Sequence, residues 1–99
     1  SVVPKSGVNG IMKAIAKEEG RYGIRANGVA LGIIDAGSHP ELMKQGYIDD
    51  KYIAAAATNV PLKRWGKPLD VAEAVSFLAS GRAGFISGQV INVDGGYHV

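Results

Sequence analysis

The stretch that most constrains the fold of this chain is residues 24–35, with the sequence IRANGVALGIID. Its β-branched and small apolar side chains are typical of a strand packed on both faces, and Gly32 lets the backbone turn or approach a ligand closely where the strand ends. In open α/β sheets, ligands bind beyond the carboxyl ends of the strands. We therefore predict a buried strand over residues 24–30 and a candidate site at residues 31–36.

A helix is predicted before this strand. Residues 4–19 have apolar side chains at three- and four-residue spacing, which places these side chains on one face of a helix. Pro4 suits the first helical turn, and Gly20 suits the position just after the helix ends. The apolar residues of that face are Val8, Ile11, Met12, Ile15 and Ala16. The face fits either core packing or the surface of a partner helix.

Two further helical regions and a second strand are predicted after the first strand. Residues 41–57 form one broken helix or two short ones, because Gly46 and a pair of aspartates interrupt the apolar pattern, and we expect this region to move more easily than the rest. Pro68 opens a helix over residues 68–79, and residues 89–94 form a second buried strand. The order helix, strand, helix, helix, strand predicts two parallel strands joined by a right-handed crossover.

Two strands make too little sheet to stand alone. Both outer edges would leave backbone donors and acceptors bare, and the helices carry more apolar surface than so small a sheet can cover. No internal repeat, low-complexity tract or linker divides the 99 residues. We expect residues 1–99 to be a single partial domain that needs a partner, which is more of the same chain, a complementary fragment or a second copy.

Composition excludes several classes of function. The net charge of +2 comes without a basic block, so we expect no nucleic-acid partner. The absence of cysteine excludes disulfides, thiolate metal sites and cysteine nucleophiles, and it fits a reducing compartment, so we expect a cytoplasmic protein. No apolar run reaches the roughly 18 residues of a membrane span, and no signal-peptide pattern opens the chain. Since the first residue is not methionine, we expect Ser1 to mark a processing, proteolysis or cloning boundary.

Four stretches, in their order and spacing, point to one family. They are Lys5 at the start of a helix, residues 23–32 (GIRANGVALG), residues 61–72 (PLKRWGKPLDVA) and residues 88–96 (GQVINVDGG). Together they resemble the C-terminal part of a short-chain dehydrogenase/reductase, nearest to 3-oxoacyl-carrier-protein reductases and sugar-alcohol or glucose dehydrogenases. The resemblance implies an NAD(P)-dependent oxidoreductase with a doubly wound parallel sheet of the Rossmann type. This chain would supply two parallel strands and three to four helices of that α/β fold.

The resemblance makes Lys5 the candidate catalytic and cofactor-binding residue. In the family, a tyrosine four residues before a lysine donates a proton to the substrate carbonyl, while the lysine lowers the pKa of that tyrosine and hydrogen-bonds the nicotinamide ribose. Without the resemblance, Lys5 would be interpreted as a solvated surface lysine. Ser1 stands at the tyrosine position. Because an aliphatic hydroxyl is a far weaker acid than a phenol, Ser1 either disables the usual chemistry or belongs to the boundary.

The loop after the first strand is the candidate contact with the nicotinamide of NAD or NADP. The family usually has proline and glycine there, followed by a threonine that contacts the cofactor, whereas this chain has Leu31, Gly32 and, at the threonine position, Ala36. Gly32 and the backbone amides of Ile33 and Ile34 can still meet a carboxamide, but the hydroxyl contact is lost. The 99 residues contain no Gly-x-x-x-Gly-x-Gly phosphate loop, so the dinucleotide site is incomplete in this chain.

The histidines and two aspartates have structural interpretations as well as functional ones. His39 and His98 have no second ligand at helical spacing, so we expect no metal site. Asp35 and Asp94 resemble an acid/base pair, yet aspartates beside glycines are usually turn formers.

The loop before the third predicted helical region and the region before that loop also allow two interpretations. Arg64 and Trp65 suggest a binding patch, although the family packs this loop beneath a helix. Three larger side chains in residues 41–57 suggest either a substrate pocket, where the family places its variable lid, or core packing. They are Met43, Tyr47 and Tyr52.

Two functions of different classes remain open at this point. The chain is either a segment of an oxidoreductase that transfers hydride between nicotinamide and a small ketone or alcohol, inactive or weakly active alone, or a non-catalytic assembly module that self-associates. In the family, the first helix joins an intersubunit four-helix bundle, and the third helix and last strand form another interface. Both functions therefore predict a homo-oligomer.

Overall fold

A computed structural model describes the backbone of residues 2–98 and the side chains of residues 6–98. In this part of the chain, four helices accompany a sheet of two parallel strands, which confirms the predicted α/β class. The parallel register is seen at both ends of the pair, where the N–H groups of Gly28 and Gly32 donate to the carbonyls of Gln89 and Val93. The elements in chain order are α1 (Val2–Glu19), β1 (Gly28–Leu31), α2 (His39–Lys44), α3 (Asp50–Thr58), α4 (Pro68–Ala79) and β2 (Val90–Val93).

Helix α1 includes the predicted residues 4–19, and Pro4 lies in its first turn. A proline fits there because the N–H groups of the first turn have no partner inside the helix. After Glu19 the chain tightens into the 3-10 turn Gly20–Tyr22, and the left-handed residue that ends the turn is Gly23, with φ 77°. Gly20 therefore follows the end of α1 as predicted, but the left-handed conformation that ends the helical turn is adopted by Gly23.

The region over residues 41–57 folds as two short helices, one of the two predicted outcomes. Gly46 has φ 80°, a conformation that favours glycine, and it follows directly after Gln45, the C-terminal cap of the first of them. The second helix, α3, is capped by Asp49, whose carboxylate accepts the N–H of Tyr52 at 2.7 Å.

Strand β1 is shorter than the predicted residues 24–30 because side chains bind the segment before it. The Arg25 guanidinium donates to the carbonyls of Leu78, Ser80 and Ile86 at 2.8, 3.0 and 3.3 Å. These include carbonyls at the C-terminus of α4 that have no partner within the helix. Asn27 donates to the Ile86 carbonyl and accepts the N–H of Gln89. Residues 24–27 are thus held mainly by side-chain hydrogen bonds, together with one backbone bond from the Gly88 N–H to the Ala26 carbonyl at 2.7 Å, and the regular strand begins at Gly28.

Both strands are less buried than predicted. No residue of β1 or β2 is fully buried, since each strand has a single neighbouring strand in the described part of the chain. The buried apolar side chains among the described residues are Met12, Val60 and Ala83. Large apolar side chains such as Ile11 and Phe85 are exposed instead.

The residues group into two compact units. One unit contains the chain up to Ala30 together with Ala74–Ile91, and the other contains Leu31–Glu73 together with the residues from Asn92 onward. Both strands and α4 contribute residues to each unit. None of the helices in residues 2–98 has the length and apolar character needed to cross a bilayer.

Candidate functional site

Gly32, the first residue after β1, lies against the end of β2. Its N–H donates to the Val93 carbonyl at 3.0 Å, and a Cβ added to it would lie 2.7 Å from Asp94 Cβ and 2.8 Å from Asp94 Cα. Real Cβ atoms do not approach other carbon atoms so closely. Glycine is therefore required here by the approach of the two strand ends, independently of any ligand.

The two residues that follow, Ile33 and Ile34, are tied to a second loop through Gly66. The N–H of Gly66 donates to the Ile33 carbonyl and the N–H of Asp35 donates to the Gly66 carbonyl, both at 2.8 Å. Ile34 and Gly66 consequently form an isolated parallel bridge. A Cβ on Gly66 would meet Cδ1 of Ile34, the end of a side chain that can move aside, so this contact alone does not require glycine.

The backbone N–H groups of Ile33 and Ile34 have no hydrogen-bond acceptor in the described part of the chain. Their neighbours differ, because the N–H groups of Gly32 and Asp35 are both paired. Ile33 and Ile34 are half-buried. Unpaired donors at partly buried positions are costly unless something accepts from them. Each of these donors, just beyond the carboxyl end of a parallel strand, is free to bind a hydrogen-bond acceptor such as the carbonyl oxygen of an amide.

Lys5 lies near the start of α1, in the first unit, whereas Gly32, Ile33 and Ile34 belong to the second unit. The side chain of Lys5 and the whole of Ser1 lie outside the described residues. The roles of Lys5 and of the Ser1 position therefore remain predictions from the sequence.

Asp35 and Asp94 form turns, as the structural interpretation predicts. Asp35 accepts the N–H of Gly37 at 3.0 Å, and Asp94 accepts the N–H of Gly96 at 2.9 Å. The Gly96 N–H and then the His98 side chain, whose Nδ1 lies 2.8 Å from the carboxylate, lower the pKa of Asp94. Each carboxylate is thus engaged by a turn amide. Residues 2–98 contain no group of three or more metal-binding side chains.

Arg64 and Asp70 form a two-point ion pair in the loop before α4. The guanidinium donates to both carboxylate oxygens, at 2.8 and 3.2 Å, and the same carboxylate accepts the N–H of Lys67 at 2.7 Å. The hydrogen bond from Arg64, followed by that from the Lys67 backbone, lowers the pKa of Asp70 to about 2. The pair fixes the loop at the entry to α4, so the structural interpretation of Arg64 accounts for its contacts.

Trp65 is anchored on two sides. Its indole Nε1 donates to the Ile53 carbonyl in α3 at 2.9 Å, and its ring is 4.5 Å from that of His39 in an edge-to-face arrangement. Sequence reasoning missed the contact with His39. Neither residue gave a local signal for it, because the two lie far apart in the chain and belong to different predicted elements.

The aromatic residues of the α2–α3 region are not core residues in the described structure. Tyr47 is 74% exposed and Tyr52 is 53% exposed, while Met43 is half-buried. Core packing within this chain therefore does not account for the two tyrosines.

A cavity of about 400 Å³ opens on the first unit. Leu78 and Val75 of α4 line it, together with Arg25, Asn27 and Val29. The Arg25 guanidinium and the Asn27 amide nitrogen donate to backbone carbonyls, and the Asn27 Oδ1 accepts the N–H of Gln89. The cavity lining does not include any residue that the sequence assigns to a site.

Comparison with known proteins places these features in one family. A family model described as Enoyl-(Acyl carrier protein) reductase matches residues 2–98. The acetoacetyl-CoA reductase of Synechocystis sp. is 41% identical over 95 residues, which cover 95% of this chain and 37% of the relative.

Solved structures give the same result. The aldohexose dehydrogenase of Thermoplasma acidophilum superposes with a TM-score of 0.83 at 36% identity, covering 97% of this chain and 39% of that one. A candidate 2-deoxy-d-gluconate 3-dehydrogenase from Agrobacterium tumefaciens with bound NADP superposes with a TM-score of 0.78 at 35% identity, covering 94% of this chain and 36% of that one. This chain spans well under half the length of the relatives that it matches. It belongs to the short-chain dehydrogenase/reductase family, as a part of that fold.

Proposed function

We propose that this chain is the C-terminal part of an NAD(P)-dependent oxidoreductase that transfers hydride between a nicotinamide and a small ketone or alcohol. The observation that supports this most directly is the pair of unpaired N–H groups on Ile33 and Ile34, beyond the carboxyl end of β1. Ligands of open parallel sheets bind at that end of the strands. The relatives support the same assignment, since one is named an acetoacetyl-CoA reductase and another holds NADP.

Each residue of the proposed site has a separate task. The amides of Ile33 and Ile34 donate to the nicotinamide carboxamide, and Gly32 lets the loop leave β1 against Asp94. Lys5 holds the nicotinamide ribose and lowers the pKa of the proton donor, as in the family. When bound, the cofactor supplies or accepts the hydride. Ser1 cannot replace a tyrosine as that donor because its hydroxyl is far less acidic. We therefore propose weak or absent activity for the 99-residue chain alone.

The remaining features of the proposal follow from the family and the composition. The substrate is a small carbonyl or alcohol compound, the cofactor is NAD or NADP, and the protein is a cytoplasmic homo-oligomer without nucleic-acid or membrane partners. The modest net charge of +2 supports the absence of a nucleic-acid partner and the lack of cysteine supports the cytoplasmic compartment, while the substrate, cofactor and oligomeric state follow from the family.

The test is a chimeric protein in which this chain replaces the matching part of the Synechocystis acetoacetyl-CoA reductase. The relative then supplies the phosphate-binding half of the site. We expect the folded chimera to bind NAD(P)H, which is measured by the change in cofactor fluorescence. A folded chimera that neither binds nor oxidises either cofactor would contradict the proposed function.

Substitutions at Ser1 and Lys5 separate binding from proton transfer in the chimera. We expect Ser1→Tyr to raise the rate of ketone reduction by at least about a hundredfold, the usual scale of a well-placed general acid. Lys5→Met in the Ser1→Tyr background should remove most of that gain. Equal rates for the unsubstituted chimera and its Ser1→Tyr variant would show that this position does not donate the proton.

The exposed face of α1 favours a second candidate function, the non-catalytic assembly module. Val8 is 65% exposed and Ile11 is 63% exposed, although both lie on the predicted apolar face of the helix. Contiguous apolar side chains on a surface are typical of an interaction site. Sedimentation of the 99-residue chain tests this function, for which we expect a defined oligomer. A folded and well-dispersed monomer would count against it.

A further inference from the structure

The loop that contains Ile33 and Ile34 depends on Gly66 for its position. Two backbone hydrogen bonds of 2.8 Å, from Gly66 to the Ile33 carbonyl and from Asp35 to the Gly66 carbonyl, lie on either side of the unpaired Ile34 N–H, and the unpaired Ile33 N–H directly precedes them. Because Ala36 stands where the family has a threonine, no side-chain hydroxyl at that position helps to orient a ligand. The Ile33 carbonyl that Gly66 binds belongs to the same planar peptide group as the Ile34 N–H, so the direction of that N–H depends on how firmly Gly66 is held.

Trp65 holds Gly66 from the preceding position. The indole Nε1 donates to the Ile53 carbonyl of α3 at 2.9 Å, and the Trp65 carbonyl accepts from Arg64 at 3.0 Å. Both the side chain and the backbone of Trp65 are thus fixed. Trp65 is half-buried, so solvent competes only partly for these contacts.

His39 connects Trp65 to Asp35, the residue that follows Ile34. Its ring meets Trp65 edge to face with centroids 4.5 Å apart and an interplanar angle of 79°, and its side chain is 14% exposed. Its Nδ1 lies 3.5 Å from the carboxylate of Asp35, the residue whose N–H is bound to Gly66. The path from Ile34 through Asp35, His39 and Trp65 to Gly66 is therefore a closed ring of contacts.

We propose that Trp65 and His39 are positioning residues, which keep the backbone amides of Ile33 and Ile34 directed at the amide group of a nicotinamide. This inference rests on the proposed function and assigns a role to side chains that touch neither the cofactor nor the substrate. An aromatic pair of this geometry contributes beyond its buried area. A small displacement of a positioned group is enough to weaken a bound state or slow a reaction.

Amide hydrogen exchange in the 99-residue chain tests the positioning without any cofactor. We expect Trp65→Leu to speed exchange of the Asp35 and Gly66 amides by about tenfold, because local opening needs fewer contacts to break. The Gly28 amide, bound to the Gln89 carbonyl in the other unit, is the internal reference and should not change. Unchanged exchange at Asp35 and Gly66, or equal acceleration at Gly28, would overturn the inference.

Cofactor affinity in the chimera tests the direction of the two amides. We expect Trp65→Leu and His39→Leu each to weaken NADPH binding by about tenfold, the scale of one well-placed hydrogen bond. Binding of 2′-phospho-ADP-ribose, which lacks the nicotinamide, should stay the same. Trp65→Phe retains a ring against His39 and should recover part of the loss, and Lys44→Ala, an exposed substitution on α2, should have no effect.

The outcomes separate this inference from the proposed function. If the leucine substitutions weakened the binding of NADPH and of 2′-phospho-ADP-ribose to the same extent, the defect would be a general structural one and the positioning role would be overturned. Unaltered NADPH affinity in both leucine variants would overturn it while leaving the proposed function intact. Failure of the unsubstituted chimera to bind NADH as well as NADPH would reject both the positioning role and the proposed function.

Discussion

Replacement of Gly32 by alanine should destabilise the protein although alanine is otherwise the easier residue to fold. The added Cβ would lie 2.7 Å from Asp94 Cβ and 2.8 Å from Asp94 Cα, whereas ordinary contacts begin at 3.4 Å. The obstructing atoms include backbone, and the Gly32 N–H to Val93 carbonyl bond of 3.0 Å keeps the two strand ends together. The clash between the added Cβ and Asp94 can therefore be relieved only if the two strand ends move apart.

The expected cost is about 1–3 kcal/mol, the range for overpacking at a tightly packed position. Alanine recovers about 0.4–1 kcal/mol by reducing the entropy of the unfolded chain, which leaves a net loss centred at about 1.3 kcal/mol. With a urea m-value of about 2 kcal/mol/M, that loss lowers the unfolding midpoint by roughly 0.5–1 M.

The assay is urea unfolding of the 99-residue chain followed by circular dichroism. Gly10→Ala in α1 is the matched control, since a Cβ there meets nothing within 4 Å. Alanine in the interior of a helix should instead stabilise by about 0.5–1 kcal/mol. If Gly32→Ala were as stable as Gly10→Ala, the strand ends would not approach as described and the reason given for glycine at this position would be wrong.

Two further predictions concern charged side chains. Arg25→Lys should destabilise the chain by about 1–3 kcal/mol in the same urea assay, because a lysine ammonium cannot reach three carbonyls that a planar guanidinium spans; unchanged stability would mean that these hydrogen bonds contribute little. The pKa of Asp70 is lowered from 3.8 to about 2 by Arg64, so its ionised form favours folding above pH 3.8 and that contribution is lost as the pH falls toward 2. The stability difference between the wild type and Asp70→Asn should therefore be constant above that interval and shrink through it, measured by unfolding at a series of pH values. A difference that grows on acidification would contradict the ion pair.

The helices were the predictable part of this fold because their signals are local. Pro68 at the start and a regular apolar spacing set the bounds of α4, Pro68–Ala79, which agree with the prediction over residues 68–79. Gly46 and Asp49 divided the preceding region through a left-handed turn and an N-cap that neighbouring residues determine. Such features need no knowledge of distant contacts.

The strand bounds and the candidate site could be predicted only in part, because distant residues determine them. In the segment before β1, the Arg25 side chain bonds to carbonyls 53 or more positions away, which no local pattern reveals. The strand pattern identified Gly32 but not its approach to Asp94, and it did not indicate that Gly66 pairs with Ile34. The free amides of Ile33 and Ile34 become evident only once the bonds on either side of them are seen.

The turns formed by Asp35 and Asp94 give this protein two natural spectroscopic reporters. Each aspartate lies four positions before a histidine, His39 or His98, and these are the two histidines of the sequence. Proton NMR of the imidazole rings should therefore yield two resolved signals, one reporting on the loop after β1 and the other on the turn after β2. In the 99-residue chain the two signals would therefore report separately on changes in the two loops, without any label or added probe.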